Sequence, residues 1–223
     1  MAKIDIRGDI IVNEWKRFYD WLEWDSTCPR DVQTIIEAAE HDEPIDVYIN
    51  SPGGIVEAGQ EIYTALLGDP RVNIYITGQA CSAASFVAMA GHCSMTPVGL
   101  MMVHCASMRA YGNHNEMEAA ARELTTTDRA IANAYAKKSG MDMEKALRMM
   151  ERETWLTANQ CVELGLVDEI IAEGTVTAKA AAFDGVRLTP EIMQKAEAEM
   201  QKAEANETRK NEILADLYRF GSQ

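Results

Sequence analysis

A serine placed where a strand turns into an apolar helix has the position a nucleophile needs, and Ser82 has it. The run Gly78-Gln79-Ala80-Cys81-Ser82-Ala83-Ala84-Ser85 follows an aliphatic stretch and opens a helix of small and apolar residues. A helix N-terminus directs partial positive charge at that hydroxyl, which favours an alkoxide and the oxyanion of an acyl-transfer intermediate. Small neighbours leave room for a substrate carbonyl. The same position is also where serine commonly serves as a helix cap. Cys81 and Ser85 are rivals for the role. The side chain of Cys81 should turn inward if that of Ser82 faces a site, and Ser85 lies nearly one turn deeper.

A hydroxyl at its ordinary pKa needs a positioned base. Of four histidines, His41 and His114 lie in polar surroundings and His92 follows Gly91, which reads as a helix C-cap. His104 ends the aliphatic run Leu100-Met101-Met102-Val103, so it belongs at the carboxyl edge of a sheet, where open α/β folds place their sites. A third corner, Ser51-Pro52-Gly53-Gly54, follows the strand ending at Asn50. Paired glycines let backbone N–H groups approach a ligand and could bind an oxyanion, although such a run is also an ordinary turn.

The elements that must carry these corners alternate. Strands are predicted at Ile4–Val12, Ile45–Asn50, Val72–Thr77, Leu100–His104 and Leu166–Ile171. Helices are predicted at Asp31–Glu40, Val56–Leu67 and Ser82–Ala90, and a capping box at Thr157–Gln160 opens another. Alternation of this kind predicts a crossover-connected, largely parallel sheet. A helical stretch, Asn115–Met150, interrupts it. After a connection poor in large apolar groups, Thr189-Pro190 starts a last helix. Its repeat, MQKAEAE then MQKAEAN, is broken at Glu207 and is too short for a coiled-coil seam, so it reads as an amphipathic or partly frayed tail.

The chain has 223 residues, 47% of them hydrophobic, and a formal net charge of −14. That charge argues against nucleic acid, whose phosphates call for a basic face. No apolar run approaches the ~20 residues a bilayer requires, and the first residues lack a secretory apolar region, so a cytoplasmic location is expected. The five cysteines are scattered without CxxC spacing and read as core fillers. His92-Cys93 and His104-Cys105 are adjacent pairs, not a chelating spacing, so no metal site is expected.

Together, Tyr48-Ile49-Asn50-Ser51-Pro52-Gly53-Gly54, Gly78-Gln79-Ala80-Cys81-Ser82, Met102-Val103-His104, Trp155-Leu156-Thr157-Ala158 and Gly165-Leu166-Val167-Asp168 resemble the proteolytic subunit of Clp proteases, over about residues 3–172. The resemblance implies an α/β fold, the crotonase-like ββα superhelix, with residues 115–150 as a helical handle insertion. It divides the chain into a peptidase domain (1–172), a connection (173–188) and a helical C-terminal tail (189–223). It implies a serine endopeptidase acting through an acyl-enzyme, with Ser82 as nucleophile, His104 as general base and Asp168 orienting the imidazole. The N–H groups of Gly54 and Ala83 would form the oxyanion hole, and no metal or organic cofactor is implied. Family members form seven-membered rings, often stacked in pairs, that take protein or peptide substrates.

Three departures from the family pattern stand out. No segment of axial-loop length precedes Ile4, Asp46 replaces an aromatic residue of the pocket that docks an unfoldase ATPase, and the tail runs past the usual end. These features resemble the Clp-related proteases of phages and prophages, which mature heads by cutting capsid or scaffold proteins. The alternative is the proteolytic subunit of an ATP-dependent Clp protease. An acyl-CoA enzyme of the same fold and a catalytically silent ring are more distant readings.

Overall fold

The computed structural model describes residues 1–171 and 188–220. In chain order they form β1 (Ala2–Ile10), α1 (Lys16–Trp21), β2 (Ser26–Thr27), α2 (Pro29–Ala38), β3 (Ile45–Gly54), α3 (Val56–Leu66), β4 (Val72–Cys81), α4 (Ala83–Val87), β5 (His92–Met95), β6 (Leu100–Val103), α5 (His114–Ser139), α6 (Met143–Glu151), β7 (Thr154–Thr157), α7 (Ala158–Glu163), β8 (Glu169–Ile170) and α8 (Pro190–Phe220).

Eight strands make one sheet in the order β2-β1-β3-β4-β5-β8, with β6 paired to β4 and β7 to β6. Every pairing is parallel except β6 with β7. The predicted parallel, crossover-connected architecture is therefore present, and its reason is visible in the pattern. Ile4, Ile6, Ile45, Val47, Ile49, Ile74 and Ile76 bury one face of the strands against Val32, Ile62, Leu66, Phe86 and Val87 from the helices.

β4 carries both β5 and β6 on the same edge, one after the other. Asn73–Ile76 pair with His92–Met95, and Gln79–Cys81 pair with Leu100–Met102. The sheet thus steps along β4, and the two strands sit at opposite ends of it. β3 and β4 slip in register between Ile49 and Ser51, where Asn50 of β3 faces three residues of β4, Thr77, Gly78 and Gln79. That irregularity bends the strand end carrying Ser82.

Three expectations change. The helix predicted from Ser82 begins at Ala83 and tightens into a 3-10 turn at Ala88–Ala90. Gly91 is no left-handed cap: its backbone is extended (φ −150°, ψ −162°) and leads straight into β5, a strand the sequence pattern did not reveal. The predicted strand Leu166–Ile171 shrinks to the two residues of β8. The connection at 173–188 lies outside the described residues apart from Leu188.

The chain divides into two compact units at 16/17, 24/25 and 186/187. The larger holds the sheet. In the smaller, residues 17–24 accompany α8: the Arg17 guanidinium lies 3.2 Å from Glu197, Tyr19 meets Trp24 edge-on at 5.7 Å, and Leu188 and Ala196 are buried. The Thr189 hydroxyl caps α8 by accepting from the Ile192 N–H, as its sequence position predicts.

Candidate active site

Ser82 occupies the sharp corner between β4 and α4, with φ +53° and ψ −123°. A side chain other than glycine rarely tolerates that conformation, and the cost is of order 1–3 kcal/mol unless the surroundings hold it. They do so at both ends of the residue. The Ser82 N–H donates to Met102 O at 2.9 Å, across the β4–β6 junction. The Ser82 carbonyl accepts twice, from the Ser85 N–H at 2.9 Å and from the Ser85 hydroxyl at 2.6 Å. The strained corner turns the Ser82 side chain out of the helix, so it caps no helical N–H.

His104 follows the last residue of β6, two positions after Met102, which pairs with Cys81. Adjacent parallel strands that end together bring the two side chains to one edge, and His104 Nε2 lies 2.7 Å from Ser82 Oγ. That is hydrogen-bond distance for a base to take the hydroxyl proton. The imidazole is half-buried. The other histidines are elsewhere: His41 and His114 are exposed, and His92 is exposed at the start of β5.

The rivals for nucleophile fall away. Cys81 is buried, its side chain turned to Gln79, and burial pushes its thiol up to about 11, with a backbone contact at Met102 only partly opposing this. A thiolate is then scarce at neutral pH. The Ser85 hydroxyl is fully buried and occupied by the Ser82 carbonyl and the Tyr135 hydroxyl.

The glycine corner lies against Ser82. A Cβ on Gly53 (φ +97°) would sit 2.6 Å from Ser82 Cβ and 2.5 Å from Cys81 O. A Cβ on Gly54 (φ +154°) would sit 2.1 Å from Ile10 O. Only glycine permits this approach and these angles. The Gly53 N–H is taken by Ser51 Oγ at 3.0 Å, and that hydroxyl in turn donates to Gly8 O at 2.6 Å. The Ile55 N–H donates to Ile10 O on the β1 side, so the N–H of Gly54, one residue earlier in an extended chain, points to the opposite side. The Ala83 N–H opens α4, where helical N–H groups lack an intrahelical acceptor.

Asp168 is the exception, and its assignment beside His104 is corrected by the sheet register. Its N–H donates to Cys93 O at 2.8 Å, and its Oδ2 accepts from the Cys93 N–H at 2.7 Å and from Lys138 Nζ at 2.5 Å. Cys93 pairs with Ile74, near the start of β4, whereas Ser82 follows its end. Counted on the regular partner strand β3, the offset is about six residues, on the order of 20 Å at ~3.3 Å per residue. A carboxylate at that distance cannot orient the imidazole. Asp168 instead ties β5 and β8 to the end of α5.

Another acid adjoins that end of the sheet in sequence. β7 runs antiparallel to β6 with Val103 opposite Thr154, so His104 and Glu153 are the residues that immediately follow and precede this last pair. Glu153 is exposed and holds a left-handed backbone (φ +48°), a conformation that a glutamate adopts only when its surroundings require it. Sequence reasoning passed over Glu153. The available signal was its place just ahead of Trp155-Leu156-Thr157, a motif not recognised as a strand.

An out-turned serine on a strained corner and a histidine at hydrogen-bond distance are the nucleophile and base that an acyl-transfer site requires. Residues 31–174 match the family model described as Clp protease. A solved ClpP1 mutant from Listeria monocytogenes is 24% identical, with a TM-score of 0.62, and the match covers 78% of this chain and 92% of that one. That likeness shows the ClpP-like, crotonase-like fold. Since the family match spans well over half its length, the chain belongs to the Clp protease family and is a serine peptidase of that kind.

Proposed function

We propose that the chain is a self-compartmentalising endopeptidase in which Ser82 attacks the peptide carbonyl and His104 takes its proton. The observation that carries the reading is the 2.7 Å contact between His104 Nε2 and Ser82 Oγ at a strained strand–helix corner. In the forward step, the Ser82 oxygen bonds to the carbonyl carbon and its proton moves to Nε2. The negative charge that develops on the carbonyl oxygen meets the N–H groups of Gly54 and Ala83. Collapse of the intermediate expels the amine, which takes the proton from the imidazolium. Water then enters by the same route in reverse and frees Ser82. We assign to Glu153, rather than Asp168, the carboxylate that steadies the imidazolium.

Assembly into stacked rings is part of this reading. The stretch of α5 from His114 to Ala130 contains no buried residue, the first being Ile131, and Met117 is exposed on it. So long a helical stretch with no buried face is suited to a partner surface. A second copy would supply it, giving a heptameric ring or a stacked double ring.

Within this family, the phage head-maturation kind is favoured by Asp46. The Tyr48 hydroxyl donates to Asp46 Oδ2 at 3.4 Å, and the Asn73 amide lies 3.5 Å from Oδ1. A carboxylate held at this point is unsuited to an apolar docking loop. The ATP-dependent reading has its own support, since Tyr48 still stacks on Tyr75 at 5.2 Å. Cleavage of capsid or scaffold protein by the purified assembly, with and without an unfoldase ATPase, separates the two. Cleavage without the ATPase favours head maturation, and strict dependence on the ATPase overturns it.

A further inference from the structure

Beyond the reacting groups, two contacts reach Ser82 and His104 from one helix. The first starts at Tyr135 of α5. Its hydroxyl is buried and lies 2.7 Å from Ser85 Oγ, which lies 2.6 Å from the Ser82 carbonyl. A carbonyl oxygen only accepts, so the single proton of Ser85 goes to Ser82, and Tyr135 must donate to Ser85. The chain therefore runs in one sense, from Tyr135 O–H through Ser85 O–H to Ser82 C=O. Burial pushes the Tyr135 phenol up, with the Ser85 contact opposing only partly, so the donor proton stays in place across the working range. Hydrogen bonds in such a series strengthen one another in a dry interior.

The second contact starts seven residues earlier, at Asp128. Its Oδ1 accepts from the Ala106 N–H at 2.7 Å, fixing the chain two residues after His104. The neighbouring Cys105 thiol is pushed up to about 11, by burial first and then by the charge and hydrogen bond of Asp128. Positions 128 and 135 are two turns apart and share a face with buried Ile131 and Ala132.

We propose that α5 is a two-point clamp, with Tyr135 positioning Ser82 through Ser85 and Asp128 positioning His104 through the Ala106 N–H. This rests on the Ser82–His104 reading. Ser82 is the residue whose backbone is strained, and its carbonyl is one of the two points at which that backbone is held. Relaxation of either anchor lengthens the 2.7 Å contact between nucleophile and base. Tyr135, Ser85 and Asp128 touch no substrate, so they are positioning residues.

The test uses the full assembled protein and two readouts, the rate of fluorophosphonate labelling at Ser82 and the kcat/KM split on a peptide substrate. Tyr135→Phe and Asp128→Ala are each expected to lower labelling rate and kcat about tenfold or more, with KM little changed. Asp128→Asn, which retains the Oδ1 acceptor, is expected to recover most of the loss. Ile62→Val, a core change in α3, supplies a comparable loss of Tm, expected without the fall in kcat. Wild-type labelling rates in Tyr135→Phe and Asp128→Ala would overturn the clamp while leaving the peptidase reading intact, as would equal losses in Ile62→Val. Failure of the wild-type protein to label at Ser82 would remove both.

Discussion

Lys138 and Asp168 form a partly buried ion pair, with Nζ 2.5 Å from Oδ2, and this pair determines what Asp168 can do. The Lys138 ammonium also donates to Gly91 O at 2.9 Å, while Oδ2 accepts the Cys93 N–H. One carboxylate oxygen thus joins the end of α5, the entry to β5 and the start of β8, far along the sheet from Ser82. Its role is structural.

Asp168→Asn should therefore leave peptide cleavage and Ser82 labelling near wild type. It should cost stability, on the order of 1–3 kcal/mol, because Lys138 is left with a weaker partner. Chemical denaturation alongside a peptide assay checks both. A loss of activity larger than the loss of folded protein would restore Asp168 to the catalytic machinery.

The same contacts give a pH dependence. Burial raises the Asp168 carboxyl, but the Cys93 N–H and the Lys138 ammonium outweigh it and hold the group below its ordinary value. A depressed carboxylate contributes its stability above the unfolded pKa, about 3.9, and loses it as pH falls through the lower folded value. Denaturant midpoints measured from pH 6 down to pH 2 should fall less steeply in Asp168→Asn than in the wild type. Parallel curves would contradict the assignment.

Glu153→Gln should lower kcat about 10- to 1,000-fold, less than the ~10⁴ lost when a buried triad aspartate becomes asparagine, because Glu153 is exposed. Unchanged kcat would exclude Glu153 as the orienting group.

Alkylation by iodoacetamide near pH 7.5 should spare activity. Cys81 and Cys105 are both pushed up to about 11, chiefly by burial, and Cys161 to about 12, so little thiolate is available. Inactivation in step with modification of Cys81 would reopen the choice of nucleophile.

Ser82, His104 and the glycine corner were legible in sequence because each lies at the end of an aliphatic strand, and parallel strands bring their carboxyl ends together. Asp168 was not, because its location depends on which part of β4 its neighbour pairs with. That neighbour, β5, has only four residues and begins directly after Gly91, whose local signal is that of a helix end. Without β5, nothing local separates the start of the sheet from its carboxyl edge. β7 is equally short, and Glu153 acquires its position only through the antiparallel pairing of Thr154 with Val103. The contacts of α5 at Asp128 and Tyr135 span 22 and 50 residues, separations that helical periodicity does not encode.

In the proposed mechanism, Ser82, activated by His104, is the group that attacks. The most direct measurement is fluorophosphonate labelling of the assembled protein, read by mass spectrometry, in wild type, Ser82→Ala and His104→Ala. One label per chain on Ser82 is expected in wild type, none in Ser82→Ala, and a rate lowered by at least ~10² in His104→Ala. Persistent labelling and peptide cleavage in Ser82→Ala would contradict that mechanism.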